Sequence, residues 1–286
     1  MNVDIIYHIR ASRERLSATE QKVADAVLAD IDFAARANIN ELATRAGVSI
    51  ATISRFARSV DCSDIRELKH KLARAGSVGE RFLAPQLEES AFYSRIVGDI
   101  DAALRRHLLL FAEADFHAAA ALIAKARMVY VIGMGGASTM LSDELQFRLA
   151  RLGYAVASYH DAVLTRMLAA TLTPEHTLVM LSTSGVTPEL LATAEIAREY
   201  GAHIVALTVP GSPLASLASV VIPLSLEETD FIFKPSASRY AMLLAIDILA
   251  TELALAHKSE SQELLRRVKL ALDDYRGGGG WLPLGD

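Results

Sequence analysis

The run TLVMLSTSGVTPELL, Thr177 to Leu191, passes from an uninterrupted apolar stretch into a turn of small hydroxyl residues and then into a helix start. Its apolar part, TLVMLST (177–183), reads as a buried strand. Thr187 followed by Pro188 marks a helix N-terminus, with Thr at the N-cap and Pro at the first helical position, where its missing N–H costs nothing. Strand, turn and helix form one unit, and the rest of the chain is read outward from it.

Four further apolar runs share the pattern: MVYVIGM (128–134), YAVASY (154–159), HIVALTV (203–209) and SVVIPL (219–224). Helical segments lie between most of them. Near-continuous apolar strands alternating with helices predict an α/β domain with a five-stranded parallel sheet flanked by helices on both faces. Residues 92–126 read as two helices, and Ser236 to His257 as one long helix. The stretch 201–226 has no Lys, Arg, Asp or Glu, yet Pro210, Gly211, Pro213 and Pro223 interrupt it. It reads as two strands and a loop, not as a membrane span.

Open sheets of this kind bind ligands beyond the carboxyl ends of their strands, where strand order reverses. Two loops qualify. In the opening stretch, the free N–H groups of the helix N-terminus make an anion site, Ser182, Ser184 and Thr187 supply hydroxyls to one phosphate, and Gly185 lets the backbone come close. The loop lacks the lysine of a Walker-type loop and so suits a phosphomonoester better than a nucleoside triphosphate. The alternative is a hydroxyl-rich turn that only caps its helix. The second loop, GMGGAS (133–138), offers Gly135 and Ser138 as ligand contacts. It matches a dinucleotide fingerprint at only two glycines, with no acidic residue placed to hold a ribose, so no cofactor is expected.

The front of the chain has a different rhythm and predicts an all-α domain. Ser17 with Glu20 makes a capping box, followed by a helix of about twelve residues carrying Val23, Ala26, Val27 and Ile31 at helical spacing. In INELATRAGVSIATISRFARSV (39–60), Leu42, Ala46, Val48, Ile53 and Phe56 face inward, Ala43 allows close helix approach, Gly47 ends one helix and Ser49 caps the next. This is a helix-turn-helix pattern. The outer face of its second helix then carries Ser49, Ala51, Thr52, Arg55 and Arg58, the layout a DNA-reading helix requires. CSDIRELKHKLARAG (62–76) starts from Ser63 as a cap and carries Arg66, Lys69, His70, Lys71 and Arg74, charges suited to a phosphate backbone. The plain alternative is a helical hairpin with solvated arginines.

The expected division is a helix-turn-helix domain over 1–78, a linker over 79–91 in the Gly-, Ser- and Pro-containing stretch, a sheet domain over 92–274, and a flexible tail over 275–286. Charge follows it: residues 1–84 hold 13 Lys+Arg against 11 Asp+Glu, and the remainder 16 against 23. So small an excess implies modest nonspecific DNA affinity and places specificity on dimeric binding to two half-sites of a palindromic operator. The lone Cys62 excludes an internal disulfide and fits a reducing compartment, and the eight histidines, His107 and His117 among them, form no metal-ligand cluster. Asp4 within the first apolar stretch argues against a signal peptide, so a cytoplasmic protein is expected.

Taken together, LSATEQKVADAVL (16–28), INELATRAGVSIATISRFARSV, STSGVTPELLATAEIAREYGAHIVALT (182–208) and SASRYAMLLAIDIL (236–249) resemble the RpiR family of bacterial transcriptional regulators, and within it the HexR type. The resemblance implies a DNA-binding domain joined to a sugar isomerase (SIS) domain, no catalysis, and a homodimer or homotetramer. A phosphorylated sugar or sugar acid is then the effector, with 2-keto-3-deoxy-6-phosphogluconate as first candidate. It places phosphate contacts at Ser182, Ser184 and Thr187 and the DNA-reading helix at Ser49 to Val60. One departure stands out: the family's first loop, Gly-x-Gly-x-Ser, would put serine at 137, where this chain has Ala137, with the hydroxyl one residue later at Ser138. The rival class is a phosphosugar isomerase with an extra helical domain, which needs a base, for which His160, Glu227 and Glu228 follow strands.

Overall fold

The computed structural model describes residues 4–77, 92–226, 236–278 and 283–284. The expected linker, Glu227, Glu228 and Trp281 lie outside these residues. The chain separates into two compact units, residues 1–87 and 88–286.

The first unit is helical: α1 Ile5–Ser12, α2 Ala18–Ala29, α3 Ile31–Arg36, α4 Ile39–Ala46, α5 Ile50–Ser59 and α6 Ile65–Ser77. Its core gathers one apolar stripe from each of several helices, with Ile9, Leu42, Ile53, Phe56, Leu68 and Leu72 fully buried. The capping box forms as read: the Ser17 hydroxyl accepts the Glu20 N–H and the Glu20 carboxylate accepts the Ser17 N–H. At the start of α6 the expectation needs correction. Asp64 caps, its Oδ1 accepting the N–H groups of Arg66 at 2.8 Å and Glu67 at 2.9 Å. Ser63 is instead bound to the Glu67 carboxylate through its N–H and its hydroxyl. A carboxylate carries the negative charge that a helix N-terminus favours, which the hydroxyl before it lacks.

The second unit opens with α7 Phe92–Ala112 and α8 Phe116–Lys125 and then alternates strictly: β1 Met128–Gly133, α9 Gly136–Arg151, β2 Val156–Tyr159, α10 Ala162–Ala169, β3 His176–Leu181, α11 Pro188–Glu199, β4 His203–Thr208, α12 Pro213–Leu217 and β5 Val220–Pro223. The helices α13 Ser238–Ala256 and α14 Lys258–Tyr275 complete it. All strand pairs are parallel, in the order β2-β1-β3-β4-β5. Val129, Val131, Val179, Leu181, Val205 and Leu207 point to one face, under Ile123 of α8, Leu145 and Leu149 of α9 and Ile246 of α13. Ile132, Leu178, Met180, Ile204 and Ala206 point to the other, under Leu190 and Ala194 of α11. Burial on both faces is why these strands carry apolar residues at successive positions. The α12 turn stands where a plain loop was expected, capped by the Ser212 hydroxyl on the Ala215 N–H at 3.2 Å. α14 has no counterpart in the sequence reading. His107, buried in α7, holds the Ala103 carbonyl through Nδ1 at 2.7 Å and accepts the Ser225 N–H at Nε2 at 2.9 Å, tying that helix to the chain beyond β5.

Between α4 and α5 the chain turns through Gly47 at φ +63°, with open space where a Cβ would sit. The Gly47→Ala variant should lose about 1 to 2 kcal/mol from left-handed backbone strain alone. Calorimetry should show the helical unit melting earlier, with the sheet unit unmoved.

Candidate phosphate-binding loop and nucleic-acid interface

In the helical unit, Asn38 caps α4 by accepting the Asn40 and Glu41 N–H groups at 2.9 and 3.0 Å, and Ser49 caps α5 by accepting the Thr52 N–H at 3.3 Å. Between them Gly47 closes the turn, and the Val48 N–H reaches back to the Ala43 carbonyl at 3.0 Å. Ser49, Ala51, Arg55 and Arg58 are exposed, as expected of a reading face. Thr52 is not: it is 4% exposed. One turn before the buried Phe56, it falls on the inner side of α5, where its hydroxyl lies 3.0 Å from that of Ser49 and accepts from the Arg55 guanidinium at 3.3 Å. Thr52 therefore holds Arg55 and does not itself face outward.

Beside it, the Glu20 carboxylate accepts the Ser59 hydroxyl at 2.7 Å. Its carboxyl is held below the ordinary range, first by the Ser17 hydroxyl, then by that of Ser59, with the Arg55 charge a smaller contribution. Lys69 is half-buried on α6, and its ammonium donates to the Arg36 carbonyl at 3.3 Å at the end of α3. The structure thus joins Lys69 to the end of α3. Ile50, 48% exposed at the first position of α5, was missed. An apolar residue directly after an N-cap serine was the available signal.

In the sheet unit, β1 and β3 lie side by side with Gly133 opposite Leu181. The chain leaves β1 toward β2 and leaves β3 toward β4, so strand order reverses between these two ends. Ser182 is buried; its hydroxyl accepts the Gly185 N–H at 3.1 Å and lies 3.3 Å from that of Thr187. Gly185 has φ +65°, and a Cβ there would sit 2.2 Å from the Ser212 hydroxyl and 2.5 Å from that of Thr208. Thr208 and Ser212, themselves 3.3 Å apart, form the wall behind the loop, and the sequence reading did not include them. Thr187 occupies the N-cap position of α11, but its hydroxyl makes no cap bond. The first turn of α11 is left without a side-chain cap, so the cap-only alternative does not describe this loop. Ser184 is half-buried, with no partner for its hydroxyl among the described residues.

The first loop is equally constrained. A Cβ on Gly133 would meet the Ser138 carbonyl oxygen at 2.1 Å, and Gly135 at φ +76° is the N-cap of α9. Ser138 is 9% exposed in the first turn, while Ala137 packs against the apolar cluster under α8 and α9. That packing accounts for an apolar side chain at 137.

His160 binds the Gly133 carbonyl through Nδ1 and the Asp143 carboxylate through Nε2, both at 2.9 Å. The Asp143 carboxyl is lowered first by the Ser158 hydroxyl and then by His160. The Ser142 hydroxyl also lies 3.4 Å from Nδ1, so both ring nitrogens are engaged within the protein and His160 is a strut between β1, α9 and the end of β2. Two cavities, of about 770 Å³ beside β5 and about 370 Å³ among α9, α13 and α14, lie elsewhere, and no residue of either loop lines them. Among the described residues no group of three His, Cys, Asp or Glu side chains is placed to hold a metal, and no single helix is long and apolar enough to cross a membrane.

Two family models match the chain. Residues 3–78 match the helix-turn-helix domain of the rpiR family, and residues 122–252 match the SIS domain. The HTH-type transcriptional regulator HexR of Pseudomonas aeruginosa is 32% identical over 273 residues, covering 94% of this chain and 95% of that protein. The bifunctional protein glk of Burkholderia orbicola is 30% identical over 279 residues, 93% of this chain but 42% of that protein. Among solved structures, the Vibrio vulnificus NanR protein complexed with ManNAc-6P shares the fold, with a TM-score of 0.58, 20% identity, and coverage of 94% of this chain and 98% of that one.

The contact behind Gly185 admits a direct check. Gly185→Ala forces a Cβ into the Ser212 hydroxyl and should lower stability by about 1 to 3 kcal/mol. It should also abolish any stabilisation by phosphate esters in a thermal melt. An unchanged ligand-induced shift would mean that the loop geometry does not matter for binding.

Proposed function

Because this chain belongs to the RpiR family of helix-turn-helix regulators with an SIS domain, we propose that it binds an operator through α5 and that a phosphorylated sugar or sugar acid at residues 182–187 sets its affinity for that DNA. The observation that carries the reading is the uncapped start of α11: the Thr187 hydroxyl turns to Ser182, leaving first-turn N–H groups and the unpartnered Ser184 hydroxyl for a phosphate. Gly185 brings backbone close to it, and Gly135 and Ser138 line the sugar side from the first loop. The likeness to HexR, and the sugar phosphate named with NanR, support this ligand class. The resemblance to the HexR type makes 2-keto-3-deoxy-6-phosphogluconate the first effector to try.

On the DNA side, Arg55 and Arg58 reach base edges or phosphates from the exposed face of α5, with Ser49 and Ala51 at its front and Ile50 suited to a thymine methyl. Lys69 serves the phosphate backbone. Two copies on a palindromic operator would each read one half-site, and effector binding would shift the population of pairings that match the half-site spacing. An isomerase reading needs a base at the sugar carbon, and His160 is occupied on both nitrogens.

The test is thermal-shift screening of the full chain against phosphorylated sugars and sugar acids beside their unphosphorylated forms. The expected result is a shift with the phosphorylated member of a pair only; no shift with any would return the loop to a structural role. Ser184→Ala should then weaken effector binding by about 1.5 to 3 kcal/mol, the worth of one charge-assisted hydrogen bond, with effector-free DNA binding intact. Arg55→Ala should cost about 1 to 3 kcal/mol on a DNA fragment selected by the parent protein, measured by fluorescence anisotropy, if the residue reads a base.

A further inference from the structure

The cavity of about 370 Å³ lies where the last turn of α9, the second half of α13 and the first turns of α14 meet. Leu152 and Leu265 give it an apolar floor, and Leu284 closes one side, its neighbour Pro283 held by an Arg276 bond at 3.0 Å. Asp247 is the one carboxylate among its lining residues, and Arg148 takes it up at 3.2 Å. Arg151 and Lys258 also line the cavity, and neither is paired with any described group. Its surface therefore carries two uncompensated positive charges.

Two further features point the same way. α14 is 18 residues long, and its first turn, which opens here, has no side-chain cap. In that turn Ser261 is only 6% exposed, lines the cavity, and has no hydrogen-bond partner for its hydroxyl among the described residues. The hydroxyl oxygen is not sealed from solvent, so it is open to a group that enters the cavity. Cations, uncapped N–H groups and an open hydroxyl above leucines form a set complementary to an anion with a hydrocarbon body.

We infer that this cavity binds a small amphiphilic organic anion, its carboxylate or phosphate head against Arg151, Lys258 and Ser261 and its apolar part on Leu152 and Leu265. The site is separate from the phosphate loop. It lies at the other end of α9, whose 16 residues span about 24 Å.

Isothermal titration of the full chain with octanoate and with octyl phosphate tests this, with octan-1-ol and octylamine as controls of equal chain length. Saturable binding of either anion, and of neither control, is expected; which anion binds more tightly identifies the head group. Replacing both cations (Arg151→Gln with Lys258→Gln) should weaken that binding at least about tenfold, with the far-UV spectrum unchanged, while Ser184→Ala binds octanoate like the parent. Should the double variant fail to fold, Leu265→Trp, which fills the cavity, should give the same loss. The inference is overturned if neither anion binds, if octan-1-ol binds equally well, if the cavity variants bind like the parent, or if Ser184→Ala loses the binding.

Discussion

The parallel ladder between β1 and β3 sets the terms for everything in the sheet unit. Its register puts Gly133 beside Leu181, so the two strands end together while their chains depart in opposite directions, one through α9 to β2 and the other through α11 to β4. A parallel pair requires crossover helices, and these cover both faces of the sheet. The strands are then apolar on both sides, and polar chemistry is pushed to their ends. Two helix N-termini face that same edge, which gives the crevice a positive local field with no lysine in the loop after β3.

A site made of backbone N–H groups and hydroxyls has a different character from one made of charged side chains. Neutral donors hold a phosphate without a buried ion pair, and they do so well only if fixed in place beforehand. The fixing here comes from behind: Thr208 and Ser212 leave room at residue 185 for a glycine alone, and the Ser182 hydroxyl ties the turn at the Gly185 N–H. On the other side His160 fixes the Gly133 carbonyl and Asp143 of α9, so that loop is braced from β2. Both loops are thus set by contacts that the ligand would not have to form.

Local signals carried much of this in the sequence. Ser17 with Glu20, Gly47 and Ser49 each act within four residues and stand where the reading puts them, while Thr187-Pro188 marks the start of α11 without the Thr187 hydroxyl capping it. The five apolar runs overlap the five strands closely, most plainly at β1, β3 and β4, where burial on both faces demands apolar residues at successive positions. What escaped depends on distance or on facing. Thr208 and Ser212 lie more than twenty residues beyond Gly185, and nothing in their neighbours points back to it. Thr52 shares the residue type of an outer-face position, yet its place one turn ahead of Phe56 turns it inward. Ser63 and Asp64 are both capping residues, and only the path of the chain after Cys62 decides between them. α14 is amphipathic and mostly exposed, so its pattern gives no sign that its first turn closes a cavity.

The inward turn of Thr52 bears on how α5 would read DNA. A guanidinium free in water surrenders rotamer entropy when it docks, whereas one locked to a carboxylate must first lose a charge-assisted bond. Arg55 meets neither extreme. Its guanidinium donates to a neutral hydroxyl, that of Thr52, at 3.3 Å, which orients the side chain at small cost to release. Glu20, the nearby carboxylate, makes its hydrogen bonds to Ser17 and Ser59, so it attracts Arg55 without neutralising it through a direct pair. The same carboxylate is the second half of the α2 capping box. Moving it toward Arg55 would uncap α2 and release Ser59 together. Within the proposed role, the stability of the helical unit thereby keeps the reading arginine oriented and available.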